Sequence, residues 1–195
     1  NDFGGSRASD VQSKLEQELV RISNAGGNVV RMWVFCEGKY LPIFNSDGSV
    51  SKSDSSNSLG DDIIKYLDAA QQYNVFVILS LWNGAVDFNG NGLYKMLTQS
   101  GSTSKMQTFI DRVLTPLVNK VSYHPALGAW EIINEPEGSL QVASGWNDCT
   151  NTNFLSGKGP PWTDASITAW QFQRFINRQA SAIHSADSKA LVTVG

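Results

Sequence analysis

Four short apolar runs recur along the chain, and they constrain its fold more than any other feature. They cover residues 28–35, 74–82, 126–133 and 189–194, and each consists mainly of Val, Ile, Leu, Ala and aromatic residues. Near-continuous apolar runs of this length are typical of strands that are covered on both faces, as in a parallel sheet. We therefore predict four parallel strands rather than the alternating strands of a half-solvated sheet.

Stretches with helical periodicity separate these runs. The clearest covers residues 104–123, where apolar side chains recur at steps of three and four residues. A second helix is expected to begin near Ser58, with Asp61 contributing to its cap, and a third covers about 164–184. An N-terminal helix is predicted to begin near Ser9 with a capping box. This alternation implies right-handed crossovers and a parallel sheet.

Two architectures fit this order, the doubly wound sheet and the (β/α)8 barrel. A doubly wound nucleotide binder would carry a glycine-rich turn after a strand, whereas the Gly-Gly pairs at 4–5 and 26–27 precede a helix or a strand. In a barrel, the functional residues lie in the loops after the strands. Here those connections are long, at 36–57, 83–101 and 134–163. We therefore predict an incomplete (β/α)8 barrel, with the whole chain belonging to one catalytic domain.

Composition and charge narrow the class of protein. Hydrophobic residues make up 41% of the chain and charged residues 17%, which indicates a globular domain rather than a disordered one. With a net charge of −3 and no long apolar run, we expect neither a nucleic-acid nor a membrane partner. The chain opens abruptly and stops inside an apolar run, so we expect a fragment whose secretion signal lay upstream or was removed.

The few cysteine and histidine residues predict neither a metal site nor a cofactor. Cys36 and Cys149 are not part of a CxxC pair, and both fall in predicted loops. They could form a disulfide with each other, remain as thiols, or pair with cysteines beyond the chain. His124 and His184 are too scattered to share a metal ion.

The candidate catalytic residues lie at the end of the third apolar run. The run is followed by Asn134-Glu135-Pro136, which delivers Asn134 and Glu135 at the carboxyl edge of the sheet. Cleavage of a glycosidic bond needs a carboxylic acid that protonates the leaving oxygen and a second carboxylate across the bond. We expect apolar neighbours to surround Glu135 and favour its protonated form. The alternative, that Glu135 only caps the following turn, fits less well with Asn before it and Pro-Glu-Gly after it.

Several residues near the predicted strand ends are candidates for binding a sugar. Trp82, Trp33 and Trp162 could each stack an indole ring on the apolar face of a pyranose. For Trp82 and Trp33, packing in the core fits the sequence about as well, whereas Trp162 follows Gly-Pro-Pro in a loop. Glu131 is expected to point towards the helices, and Glu137 is expected to be a loop charge.

The chain resembles glycoside hydrolase family 5 at these residues. The segments that carry the resemblance are 26–33 (GGNVVRMW), 81–83 (LWN) and 130–138 (WEIINEPEG), and the likeness extends over nearly the whole chain. Within the family, these segments are similar to those of the endo-β-1,4-mannanases of invertebrate animals. Trp82-Asn83 stands where many family members carry a histidine, which agrees with the mannanase-like subgroup.

The resemblance implies a role for each matched residue. Glu135 would be the general acid/base, and Asn134 would bind the 2-hydroxyl of the sugar at the cleavage point. Arg31 would hold the carboxylate of the nucleophile by charge-assisted hydrogen bonds, and Asn83 would contribute to substrate binding. The family's nucleophile is a glutamate on the seventh strand, whereas the resemblance places the four strands here as the second to the fifth. The nucleophile is therefore expected beyond residue 195.

The sequence thus predicts a secreted, monomeric, retaining endo-β-1,4-mannanase that acts on mannan, galactomannan or glucomannan. Residues 1–195 alone would be inactive. An endo-β-1,4-glucanase of the same family is the nearest alternative, because glucan and mannan differ mainly in the orientation of one hydroxyl. A non-catalytic carbohydrate-binding protein is more distant, since binding modules are usually β-sandwiches and this chain has helical periodicity.

Overall fold

Strands and helices alternate along the chain in the computed structural model, which describes residues 7–88 and 92–195. The strands are β1 (Val29–Cys36), β2 (Ile43–Phe44), β3 (Val50–Lys52), β4 (Phe76–Asn83), β5 (Leu127–Asn134) and β6 (Val192–Thr193). The α-helices are α1 (Arg7–Asn24), α2 (Leu59–Gln72), α3 (Gly92–Thr98), α4 (Ser102–Phe109), α5 (Thr115–Val121) and α6 (Ala169–Ala186). A π-helical segment, Ile110–Leu114, joins α4 to α5, and short 3-10 helices cover Pro136–Ser139 and Asn153–Leu155.

Four of these strands form one parallel sheet in the order β1-β4-β5-β6. Each is joined to the next by a connection that contains at least one helix, which is the arrangement expected of consecutive βα units in a barrel. The predicted parallel strands are therefore confirmed. A small antiparallel pair, β2 and β3, lies in the connection after β1 and was not predicted.

The main core lies between the sheet and the helices. At its centre, Trp82 of β4 packs against three phenylalanine rings, with ring centroids 4.9, 5.0 and 6.0 Å away. These rings belong to Phe35 of β1, Phe109 of α4 and Phe175 of α6. All four side chains are buried, so this aromatic cluster ties the strands to two helices.

The other face of the sheet is more open. Val29 and Phe76 pair in register at the start of β1 and β4, and they are 48% and 50% exposed. The expectation that these strands are covered on both faces is therefore wrong at their amino-terminal ends. Within the described residues, the helices cover one face only, and the interior of a barrel is filled by side chains from the complete ring of strands.

The starts of the helices differ in detail from the sequence prediction. Ser58 stands at the N-cap of α2, but its side chain donates to Asp62 instead of capping the helix. The buried carboxylate of Asp54 accepts the N–H groups of Ser58 and Leu59 instead. Burial acts to raise the pKa of Asp54, but hydrogen bonds from these groups and from nearby serines outweigh it and hold the pKa below its ordinary value. Asp54, rather than Ser58 and Asp61, therefore caps the N–H groups of Ser58 and Leu59 at the start of this helix.

Two further helix starts also differ. α6 begins at Ala169, later than predicted, because Thr168 and Gln171 form a reciprocal capping box there. α1 already includes Ser9 rather than beginning at it. The side chains of the capping box expected at Ser9 lie outside what the structure describes, because only the backbone of residues 7–12 is described.

Candidate active site

The residues that end the three long strands lie at one edge of the sheet. β1 ends at Cys36, β4 at Asn83 and β5 at Asn134, and Asn83 lies opposite Asn134 in the register. The carboxyl ends of parallel strands share an edge, so the next residues, Glu37 and Glu135, also reach it. This edge gathers most of the polar residues that the sequence singles out.

Arg31 of β1 reaches across the sheet to Glu131 of β5. Its Nε donates to Oε2 of Glu131 at 2.5 Å and its Nη2 donates to Oε1, which gives a bidentate ion pair. The hydrogen bond to Glu131 raises the pKa of Arg31 above its ordinary value; burial opposes the rise, and the charges of Glu131 and Glu135 add to it. The expectation that Glu131 points towards the helices is therefore wrong, because a buried carboxylate needs a cationic partner.

The same guanidinium begins a chain of hydrogen bonds that orients two amides. Arg31 Nη2 donates to Oδ1 of Asn134 at 2.6 Å, and Asn134 Nδ2 donates to Oδ1 of Asn83 at 3.0 Å. Asn83 Nδ2 donates in turn to Oε1 of Glu37 at 2.7 Å. Each amide accepts one bond and donates one, which sets the direction of both carboxamide groups. Glu37 was missed by the sequence analysis, because no motif marks it.

Glu135 follows Asn134 in the left-handed region of backbone conformation, with φ 44° and ψ 57°. Its N–H donates to the carbonyl of Gly195 at 3.1 Å, and its carbonyl accepts the N–H of Gly138 at 3.1 Å. Pro136 then opens a short 3-10 helix. The side chain of Glu135 is exposed, so the expected apolar surroundings are absent within the described residues. Four strands and their loops enclose this edge only in part.

The backbone of Gly84 lies directly against Glu135. Its N–H donates to the carbonyl of Asn134 at 2.7 Å, and a Cβ atom built on Gly84 would overlap the carbonyl group of Glu135. Only glycine lets the connection after β4 approach this closely. Nothing in the sequence marks this contact apart from a glycine that follows a strand end.

A buried hydroxyl joins the connections after β4 and β5. Ser139 Oγ donates to the carbonyl of Gly84, accepts the N–H of Val86 at 3.1 Å, and lies 2.8 Å from Oγ1 of Thr163. The Ser139 side chain is fully buried. Because Gly84 also contacts Glu135, this cluster holds Glu135 in place relative to the neighbouring connection.

The three candidate tryptophans differ in their surroundings. Trp82 is fully buried, and its Nε1 donates to Oε1 of Gln179 at 2.8 Å. Trp82 therefore packs the core, and its assignment as a sugar platform is wrong, because its ring faces are covered by other aromatic rings. Trp33 is half-buried, with the guanidinium of Arg31 4.9 Å from its ring centroid.

Trp162 remains accessible beside the candidate site. It is 48% exposed, and its N–H donates to the carbonyl of Gly138 at 3.0 Å. Its indole ring packs so closely on Gly138 that a Cβ atom there would overlap it. Trp162 is thus held against Gly138, which is three residues along the chain from Glu135, and its exposed aromatic ring can meet a ligand there.

The remaining sequence predictions concern disulfides, metals and membranes. Cys36 and Cys149 do not form a disulfide with each other; Cys36 is half-buried and Cys149 is exposed. Within residues 7–88 and 92–195, no group of three or more His, Cys, Asp or Glu side chains is placed to hold a metal ion. None of the helices in that part of the chain is long and apolar enough to cross a membrane.

The fold and the polar edge together define part of a (β/α)8 barrel with a candidate active site at the carboxyl ends of its strands. Over its full length, the chain is 40% identical to the mannan endo-1,4-β-mannosidase of Cryptopygus antarcticus and 39% identical to that of Mytilus edulis. It covers 50% and 52% of those two proteins. No family model matches the chain.

The solved structures agree with the sequence relatives. The crystal structure of β-1,4-D-mannanase from Cryptopygus antarcticus matches all of this chain with a TM-score of 0.94 and 40% identity, and the match covers 52% of that chain. The predicted resemblance to invertebrate mannanases of glycoside hydrolase family 5, and the predicted partial barrel, are confirmed. The chain spans about half the length of the curated relatives it matches.

Proposed function

We propose that the protein containing this chain is a retaining endo-β-1,4-mannanase in which Glu135 is the general acid/base. The observation that carries the proposal is the position of Glu135 at the carboxyl edge of the sheet, directly after an asparagine whose amide is oriented by Arg31 and Asn83. The relatives with this fold are mannan endo-1,4-β-mannosidases, which supports the substrate class.

In this mechanism, Glu135 protonates the oxygen of the departing sugar and later, as a carboxylate, takes a proton from the attacking water. A second carboxylate, roughly 5–5.5 Å from Glu135, attacks the anomeric carbon from the opposite side of the ring. We place this nucleophile on a strand outside residues 1–195, where Arg31 would donate to it. Arg31 is suited to this role because the hydrogen bond to Glu131, together with the charges of Glu131 and Glu135, raises its pKa above the ordinary value.

The neighbouring side chains would bind the sugar at the cleavage point. Asn134 Nδ2 uses one N–H for Asn83, and its second N–H can donate to the 2-hydroxyl. Exposed Trp162 and half-buried Trp33 would stack on pyranose rings on either side of the cleaved bond. Asn83 would contact substrate or act only by orienting Asn134.

The intact protein should hydrolyse galactomannan or glucomannan at internal bonds with retention of anomeric configuration. A rapid fall in viscosity reports internal cleavage, and proton NMR of the first products reports the anomeric configuration. Cleavage of carboxymethylcellulose at an equal or higher rate would favour the endo-β-1,4-glucanase alternative. Binding of mannan without cleavage would instead identify a carbohydrate-binding protein.

Gly84→Ala in the intact protein should lower mannan hydrolysis by about 10- to 100-fold, because the new Cβ displaces the backbone of Glu135 and misplaces its carboxyl group. The crowding should also lower the free energy of unfolding by about 1–3 kcal/mol. Activity assays and urea denaturation measure the two effects.

Gly60→Ala is a matched control for this substitution. Its Cβ would meet only the flexible end of Lys120, and alanine favours the helix that Gly60 occupies. The control should keep both activity and stability. An active Gly84→Ala protein would show that this contact does not position Glu135.

We also propose that the intact protein is secreted and acts as a monomer without a cofactor. Its substrate is a polymer too large to enter a cell, and hydrolysis by two carboxyl groups needs no added group. Activity in the culture medium, and its persistence after treatment with a chelator, would test this proposal.

A further inference from the structure

A cavity of about 410 Å³ lies in the long connection between β5 and α6, separate from Glu135. Two tryptophans line it, and both are unusually exposed for so large a side chain: Trp146 at 78% and Trp170 at 49%. The polar residues Gln141, Thr150 and Thr152 share the lining. Among the described residues, none of the lining side chains is charged. The role proposed for Glu135 does not use this cavity.

The walls of the cavity are held in place by the surrounding chain. The guanidinium of Arg174 lies 4.6 Å from the ring centroid of Trp170, and Arg174 Nη2 donates to the carbonyl of Leu97 at 3.1 Å. Next to Trp146, the side chain of Asn147 accepts the N–H of Thr150 at 3.0 Å and closes a tight turn. Trp146 thus precedes a hydrogen-bonded turn, and Trp170 lies in α6, so hydrogen-bonded backbone supports both residues.

The lining matches the chemistry of a neutral sugar chain. An indole ring offers a flat apolar face to the C–H face of a pyranose, and hydroxyl and amide groups exchange hydrogen bonds with the sugar hydroxyls. A phosphorylated or acidic ligand would need a cationic group to offset its charge. Arg174, whose guanidinium lies over Trp170, does not line the cavity.

Two adjacent chain segments link the cavity to the candidate active site. The segment that follows Glu135 is hydrogen-bonded to the segment that leads into α6. The backbone N–H of Trp162 donates to the carbonyl of Gly138, and the backbone N–H of Gln141 donates to the carbonyl of Ile167 at 2.8 Å. Gln141 is six residues from Glu135, so the two places are at most about 22 Å apart. Trp162 lies between them along this path. This distance is within the reach of one extended polysaccharide chain.

We propose that the cavity between Trp146 and Trp170 is a remote binding site for a neutral β-1,4-linked mannan chain, which holds the polymer beyond the sugars next to the cleaved bond. The inference rests on the proposed mannanase function and adds a substrate contact to it. It assigns to the connection after β5 two roles, presentation of the acid/base and capture of the polymer.

The test compares Trp146→Ala with Phe154→Ala in the intact protein. Phe154 is an exposed aromatic residue of the same connection, but it does not line the cavity. For each variant, KM is measured with galactomannan and with a mannobioside that carries an activated leaving group and is too short to reach the cavity. Retention in galactomannan-containing native gels is measured with Glu135→Gln added to prevent cleavage. Thermal unfolding confirms that each variant is folded.

Trp146→Ala should raise the ratio of polymer KM to mannobioside KM about 5- to 10-fold and reduce gel retention, because one stacking platform is lost. Trp170→Ala should act in the same direction, and Phe154→Ala should leave the ratio within about twofold of the parent. If the protein cleaves mannan but Trp146→Ala and Trp170→Ala match Phe154→Ala, the remote site is wrong and the proposed function stands. If the parent neither cleaves nor retains mannan, both proposals are wrong.

Discussion

Glu135→Gln in the intact protein should reduce hydrolysis of galactomannan by about 10²- to 10⁴-fold while leaving retention on the polymer nearly unchanged. The amide keeps the shape of the side chain but cannot donate the proton that the departing sugar needs. A substrate with an activated leaving group needs no such proton, so its first step should be partly spared. Initial rates on both substrates, with gel retention on galactomannan, measure the three effects.

Glu137→Gln provides a matched control two residues away. Glu137 lies in the 3-10 helix after Glu135 and is half-buried, and the proposed mechanism gives it no role. This variant should keep most of the parent activity. If Glu135→Gln also kept most of its activity on mannan, the acid/base would have to be another residue.

Residues 1–195 expressed alone should show no measurable hydrolysis of mannan. A retaining mechanism needs two carboxyl groups that face each other across the cleaved bond. Two other carboxylates at this edge already have partners: Glu131 pairs with Arg31, and Glu37 accepts a hydrogen bond from Asn83. Sensitive reducing-sugar assays on purified, sequence-verified chain measure the outcome. Turnover would show that the nucleophile lies within these residues.

The same preparation should not behave as a clean monomer. Val29, Phe76 and Leu191 expose 48%, 50% and 68% of their surfaces. β1 and β6 are the edges of the described sheet, and such edges pair readily with other chains. Size-exclusion chromatography with light scattering should therefore show oligomers or aggregates. A stable monomer would indicate that the partial barrel shields these edges by itself.

The parallel fold could be predicted because its signals are local. A strand whose two faces are both buried in the complete barrel needs apolar residues at nearly every position, and β4 and β5 show this directly in the sequence. The meeting of polar residues at the edge of the sheet follows from the parallel arrangement of the strands. Once the strands are parallel, Asn83 and Asn134 must meet, and the structure joins them by a hydrogen bond.

The features that sequence reasoning missed depend on contacts between distant segments. Gly84 and Ser139 look like ordinary loop residues in the sequence. Gly84 is important because it lies against the backbone of Glu135, 51 residues later, and Ser139 because its hydroxyl donates to the carbonyl of Gly84, 55 residues earlier. Trp82 was ambiguous for the same reason, because only the positions of Phe109 and Phe175 decide that its ring is enclosed. Glu131 faces away from its predicted direction because Arg31, a hundred residues earlier, supplies the charge that it needs.

The left-handed backbone conformation at Glu135 lowers the stability of the folded protein, whereas the proposed reaction needs a side-chain carboxyl group at this position. A residue with a side chain pays a conformational penalty of about 1–2 kcal/mol in this region, whereas glycine does not. Selection for a more stable protein alone would therefore favour glycine at this position, and the proposed role in turnover accounts for a glutamate there. Stabilising substitutions gathered elsewhere in the barrel can offset this penalty, but an engineering campaign that ranks variants by melting temperature would select against the residue that we propose as the acid/base.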